Sequence, residues 1–197
     1  MRDITLNRRK TLGIAAGSLA GAALLSACGA STAAGAGKPV DLYLTIVGDP
    51  LLKKKDWPAF IPTALTVPAN TTVNVRIVNF DDGAAPLPDS SAGYAKVSGV
   101  IGSQASSEAL NLESPNTPGT PKSYGELAPK DVSHTFTITT LNLNVPLPVS
   151  SIVSFSFPSP SPGTYTWQCM APCGTDPNQM GGAMAEQGYM VGSLQVV

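Results

Sequence analysis

The chain has 197 residues, 12 basic and 13 acidic side chains, a single histidine, and only 13% charged residues in all. Charge this sparse and balanced leaves no basic patch and argues against a nucleic-acid partner; Lys53-Lys54-Lys55 reads as a solvated turn. With 18 Pro and 19 Gly among abundant Ser and Thr, the composition fits a β-protein rich in turns and working outside the cytoplasm.

Residues 1–28 read as an address. Arg2, Arg8, Arg9 and Lys10 precede a mostly apolar run from Leu12 to Ala27. That run is shorter than the roughly 20 residues a bilayer span needs and suits a signal peptide. Arg8-Arg9-Lys10-Thr11-Leu12-Gly13 resembles a twin-arginine export signal, and Leu25-Ser26-Ala27-Cys28 resembles a bacterial lipobox. The resemblance implies lipidation at Cys28 and a place on the extracytoplasmic face of the cell membrane, held by the lipid anchor. Without residues 1–27, eight basic residues face twelve acidic ones, a net charge near −4. Residues 29–38 are small and read as a flexible linker, which leaves one domain over 39–197.

Within that domain alternation of period two dominates. Val40, Leu42, Leu44 and Ile46 mark a half-buried strand; Ala64–Val67 is a short one, turned at Pro68–Thr71; Val73, Val75 and Ile77 mark the next. Residues 81–132 break the pattern and read as an insertion, with a short strand over Ala95–Ile101 and a helical turn near Ser106–Leu112. Alternation resumes at Ser133, where His134, Phe136 and Ile138 share one face and Thr135 and Thr137 the other. Ser151, Val153, Phe155 and Phe157 line the following strand. After a Pro-rich turn, Tyr165, Trp167 and Cys169 line another, and Met190, Gly192, Leu194 and Val196 the last. About seven strands with turns between them predict an all-β Greek-key sandwich or barrel with a long inserted loop.

Three segments carry a family resemblance: Ile61 to Asp81, ending in Asn79-Phe80-Asp81; His134-Thr135-Phe136; and Tyr165 to Met190. In these the chain resembles the cupredoxins. Tyr165 four residues before Cys169, with Met190-Val191-Gly192, is similar to the plastocyanin-like proteins. Cys169 and Cys173, separated by three residues and followed by Gly174, are similar to the copper domain of cytochrome c oxidase subunit II. Both versions place a histidine between the Cys and the Met. Residues 174–189 contain none; the binuclear pattern would put it at Pro177, and its carbonyl ligand at Ala171. The resemblance implies copper held by His134, Cys169, Cys173 and Met190, and electron transfer or copper delivery to a respiratory-chain or copper-handling partner.

The residues themselves support soft-metal binding. Apart from Cys28, the only cysteines are Cys169 and Cys173, and Met170, Met180, Met184 and Met190 all fall between residues 170 and 190. Other readings stand beside this one. Cys169 and Cys173 could form a disulfide, making the domain a metal-free accessory module. Met190 could be a core residue opening a strand, and His134 a hydrogen-bonded core histidine. No enzyme is expected: no Ser/His/Asp arrangement or phosphate loop is present, and Asp81, Asp82, Asp176 and Glu186 are scattered.

Overall fold

The structure is a computed structural model that describes residues 37–48, 57–111, 113, 117 and 119–197. The expected signal peptide, the lipidation site Cys28, nearly all of the linker and Lys53–Lys55 lie outside the described residues. No helix among the described residues is long and apolar enough to cross a membrane.

The expected all-β sandwich is present, with two sheets built from eleven strands among the described residues. These are β1 (Gly37–Val47), β2 (Ala59–Ile61), β3 (Ala64–Val67), β4 (Thr71–Asn79), β5 (Ala105–Ala109), β6 (Lys122–Tyr124), β7 (Val132–Ile138), β8 (Leu143–Pro148), β9 (Ser151–Pro158), β10 (Gly163–Gln168) and β11 (Val191–Val196). One sheet runs β2-β1-β4-β9-β5-β6 and the other β3-β11-β10-β7-β8. Most pairs are antiparallel, but β1 lies parallel to β4 and β11 parallel to β3. The period-two pattern decides which side faces in. Along β4, Thr71, Val73, Val75, Ile77 and Asn79 are buried while the residues between them are half-exposed.

Between the sheets sits an aromatic cluster. Trp167 stacks on Phe136 at a centroid distance of 5.6 Å, and Phe60 meets Trp167 edge-on at 4.9 Å and His134 at 6.5 Å. Gly192 of β11 makes room for it. A Cβ there would collide with the Trp167 ring and the Thr63 carbonyl.

The seven strands read outside segment 81–132 are present, as β1, β3, β4, β7, β9, β10 and β11. The other four, β2, β5, β6 and β8, are short or polar or carry proline. Pro146 and Pro148 mask β8, which escapes the usual penalty because it lies at the edge of its sheet. Segment 81–132 differs from expectation in two places. The described residues 106–111 of the expected helical turn Ser106–Leu112 are not helical: Ala105–Ala109 is β5, drawn into extended form by pairing with β9, and Leu112 lies outside the described residues. Ala95–Ile101 is not a strand; it makes isolated bridges at Lys96 and Ser98, and the 3-10 turn Asp89–Ala95 precedes it. Strand β7 is buried along its whole length, Thr135 and Thr137 included. The side of β7 that carries these two threonines is covered by segment 89–98, hydrogen-bonded to β8 through Asn144.

Filling the space above Trp167 tests this packing. Gly192→Ala should lower stability by about 1–3 kcal/mol through overpacking, read as a lower urea midpoint with an unchanged slope. An unchanged midpoint would show that the ring can move aside.

Candidate metal centre

The ladder between β7 and β10 holds at a single register pair, Gln168 with Thr137. Beyond it, side chains replace the backbone bonds. The Met170 N–H donates to Thr135 Oγ1 at 2.8 Å, and the Thr135 N–H donates to Cys169 Sγ at 3.3 Å. Strand order therefore delivers His134 and Cys169 to the same end of the sandwich. A bond from Cys173 N–H to the Ala171 carbonyl, 2.8 Å, curls the chain so that Cys173 returns over Cys169.

His134, Cys169 and Cys173 each present a donor atom within 4.8 Å of the others. The two sulfurs are 3.4 Å apart. Both thiols are free, and a bridge would need about 2.05 Å, so the alternative disulfide is not formed here. Two thiolates on one ion at about 2.3 Å each would stand roughly 3.7 Å apart, close to the spacing found. His134 Nε2 is engaged by Asp81 Oδ2 at 3.0 Å, while Nδ1 is buried and has no hydrogen-bond partner among the described residues. Nδ1 is thus the nitrogen left to face an ion.

A fourth donor appears that sequence reasoning did not single out. Met184 Sδ lies 3.2 Å from Cys173 Sγ, and the residue is 1% exposed. Met190, the expected thioether, is fully buried at the same end; its carbonyl accepts from Cys169 N–H at 2.9 Å, and its own N–H donates to the Ala183 carbonyl. Among the described residues no hydrogen bond joins the Met190 sulfur to either thiol. Met180 is exposed. Only the turn of residues 174–184 puts Met184 here, and a hydropathy pattern does not encode that turn. Gly174 was the available hint. A Cβ on it would meet the Gly181 carbonyl and, at 2.7 Å, Met184 Cγ.

Charges in the site are mutually supporting. Burial works against an imidazolium at His134, but the Asp81 hydrogen bond and the Cys169 sulfur outweigh it and lift the ring to about 9. Burial likewise opposes a thiolate at Cys169, yet the Cys173 thiol, the positive charge of the His134 ring and the Thr135 N–H hold it well below the usual thiol range. Cys173 is pushed well up by burial and by its two negative neighbours, Cys169 and Asp81. Asp81, despite partial burial, is lowered by His134 and by the Gly83 N–H. These shifts favour a carboxylate at Asp81, an imidazolium at His134, a thiolate at Cys169 and a thiol at Cys173. Cys173 and Asp81 also line an open cleft of about 830 Å³, so this end of the site is accessible from solvent while His134 and Cys169 are sealed.

No family model matches the chain, and no curated protein matches it. Solved structures do. Auracyanin B is 20% identical, with 83% of this chain and 91% of that chain covered at a TM-score of 0.37. The dithionite-reduced auracyanin of Roseiflexus castenholzii is 17% identical, covering 82% and 99% at 0.38. A multicopper oxidase from Campylobacter jejuni is 10% identical, covering 81% of this chain and 30% of that one at 0.41.

The imidazole charge is open to direct measurement. In the metal-free protein the His134 ring should titrate near 9 by NMR. Asp81→Asn should bring that value down, because burial then meets less opposing charge. A ring titrating at the ordinary histidine value in both proteins would contradict the arrangement.

Proposed function

We propose that the chain is a copper-binding, cupredoxin-like protein that passes electrons or copper to a respiratory-chain or copper-handling partner. The ion would be held by His134 Nδ1, Cys169, Cys173 and a thioether. The observation that carries this reading is a sealed imidazole nitrogen without a partner beside two sulfurs 3.4 Å apart. Buried polar atoms are almost always satisfied, and a soft cation is what these donors suit. Copper would supply one-electron chemistry. The chain supplies the sulfur donors, and Asp81 fixes the imidazole tautomer so that Nδ1 keeps its lone pair for the ion. Met184 is the thioether favoured by its contact with Cys173; Met190, the thioether the family resemblance implies, is the alternative. The same proposal places the domain on the extracytoplasmic face of the membrane through lipidated Cys28, in keeping with Arg8-Arg9 and Leu25–Cys28. It assigns no enzymatic step.

A second reading, a metal-free accessory module with a Cys169–Cys173 bridge, draws on the closeness of the same two sulfurs. One experiment separates them. Purified protein is offered Cu(I) and Cu(II) separately, followed by a metal count, absorbance and a free-thiol assay. Stoichiometric copper supports the first reading, with an intense thiolate-to-copper band favouring electron transfer and colourless Cu(I) favouring delivery. Absence of both copper and titratable thiol supports the module.

Variants then identify the donors. Cys169→Ser should abolish uptake. Met184→Leu should weaken retention and shift the absorption, while Met180→Leu and Met190→Leu leave both unchanged. Asp81→Asn should cost about 10- to 100-fold in affinity. Equal effects from Cys169→Ser and Met180→Leu would refute the ligand assignment.

Proton release gives an independent check. Below about 9 the metal-free protein carries a proton on His134 and one on Cys173, and a bound ion needs both sites bare. Affinity should therefore rise with pH, with about two protons released per ion. Above about 9 the His134 proton is already lost and the release should fall towards one. Calorimetry in buffers of different ionisation enthalpy reads this count.

A further inference from the structure

Behind the sulfur loop runs a buried chain of hydrogen bonds whose direction is determined throughout. The Asn144 amide nitrogen donates to two backbone carbonyls, Tyr94 at 2.9 Å and Lys96 at 2.6 Å. Those carbonyls can only accept, so the amide cannot be flipped, and Oδ1 must face Thr137. Thr137 Oγ1 therefore donates to Asn144 Oδ1 at 2.7 Å. With its proton so committed, Thr137 can only accept from Thr135 Oγ1, 2.8 Å away. Thr135 Oγ1 in turn accepts from the Met170 N–H at 2.8 Å. All three side chains are buried, at 0%, 3% and 6% exposure for Thr135, Thr137 and Asn144. Bonds aligned in one sense polarise one another, and a partner removed from a buried chain leaves its neighbour unsatisfied.

At one end lies segment 94–98, which also pairs with β8 through reciprocal Ser98–Asn144 backbone bonds of 2.9 and 3.0 Å. At the other end is the amide next to Cys169, where the β7–β10 ladder has stopped. We propose that Asn144 is a positioning residue through which segment 94–98 holds the Cys169 loop in place. This deepens the copper reading, because the loop so held carries the proposed ligand. It also gives segment 81–132 a role at the site, since its carbonyls set the direction of the chain that ends beside the sulfur.

The test uses the full chain without metal, so its result does not depend on copper being the ligand. Amide hydrogen exchange is read at Met170, at Lys96 and at Val145 in the β8 ladder. Thr137→Val cuts the chain without touching Met170 or segment 94–98. It should speed exchange at Met170 by roughly tenfold or more while Val145 stays protected. Asn144→Asp keeps the acceptor for Thr137 but loses both donors to the carbonyls, and should produce the same loss at Met170 with added loss at Lys96. Thr137→Ser restores the hydroxyl and should restore protection at Met170. Should copper bind as proposed, Thr137→Val would also shorten the lifetime of bound Cu(I) against a chelator. The proposal is overturned by unchanged Met170 exchange in Thr137→Val, or by uniform loosening of the β7–β8 ladder that Thr137→Ser fails to reverse.

Discussion

A histidine sealed from solvent can keep a proton only if something negative lies against it. His134 has the Asp81 carboxylate on Nε2 and the Cys169 sulfur nearby, and this pairing determines how the surrounding chain is arranged. Buried ion pairs offset their desolvation only when held in good geometry. Asp81 is accordingly pinned: its carboxylate accepts from the Gly83 N–H at 2.8 Å, its N–H donates to Asn79 Oδ1, and its carbonyl accepts from Ser150 N–H. Asn79 ends β4 in one sheet, while His134 and Cys169 belong to the β7 and β10 side of the other. The charges thus tie the two sheets together at this end, where the aromatic cluster of Phe60, Phe136 and Trp167 already excludes water.

Where a ladder stops, its backbone groups need new partners, and those partners decide what the site can be. The single β7–β10 register pair leaves Thr135 and Met170 amides to be satisfied by side chains. One of the acceptors is the Cys169 sulfur itself. An N–H aimed at sulfur stabilises thiolate over thiol, so the missing ladder bond contributes directly to the acidity of the proposed ligand.

The strands were legible because their faces differ: one side of β4, β9 or β11 is apolar and the other polar, and alternation records this. Legibility failed where that contrast disappears. Thr135 and Thr137 look like an exposed face in the sequence, yet both are buried, satisfied by Asn144 and the Met170 amide rather than by water. The Met170 amide lies 35 residues from Thr135, and the carbonyls that orient Asn144 lie 48 and 50 residues from it, so no local pattern encodes the chain of bonds. The site was readable to the same extent. Strand order brought His134 and Cys169 together, and a three-residue gap brought Cys173 beside them. Asp81 stands 53 residues from the imidazole it touches, and Met184 reaches Cys173 only through a loop whose path depends on Gly174 tolerating close neighbours.

The absent second imidazole bears on how a copper centre here would behave. With Asp81 and Cys169 ionised, His134 protonated and Cys173 neutral, the forms their shifts favour, the metal-free site carries a net charge of −1. Removing two protons and adding Cu(II) leaves that total unchanged, whereas adding Cu(I) makes it more negative by one. Charge alone therefore favours the divalent ion in a dry site. Two thiolates and a thioether pull the other way, because soft donors favour Cu(I). With a neutral imidazole in place of the second thiolate, the charge leaning towards Cu(II) would be weaker and so would the sulfur leaning towards Cu(I). In the proposed site the two preferences oppose each other, so neither oxidation state is strongly trapped, which suits electron exchange better than one-way storage.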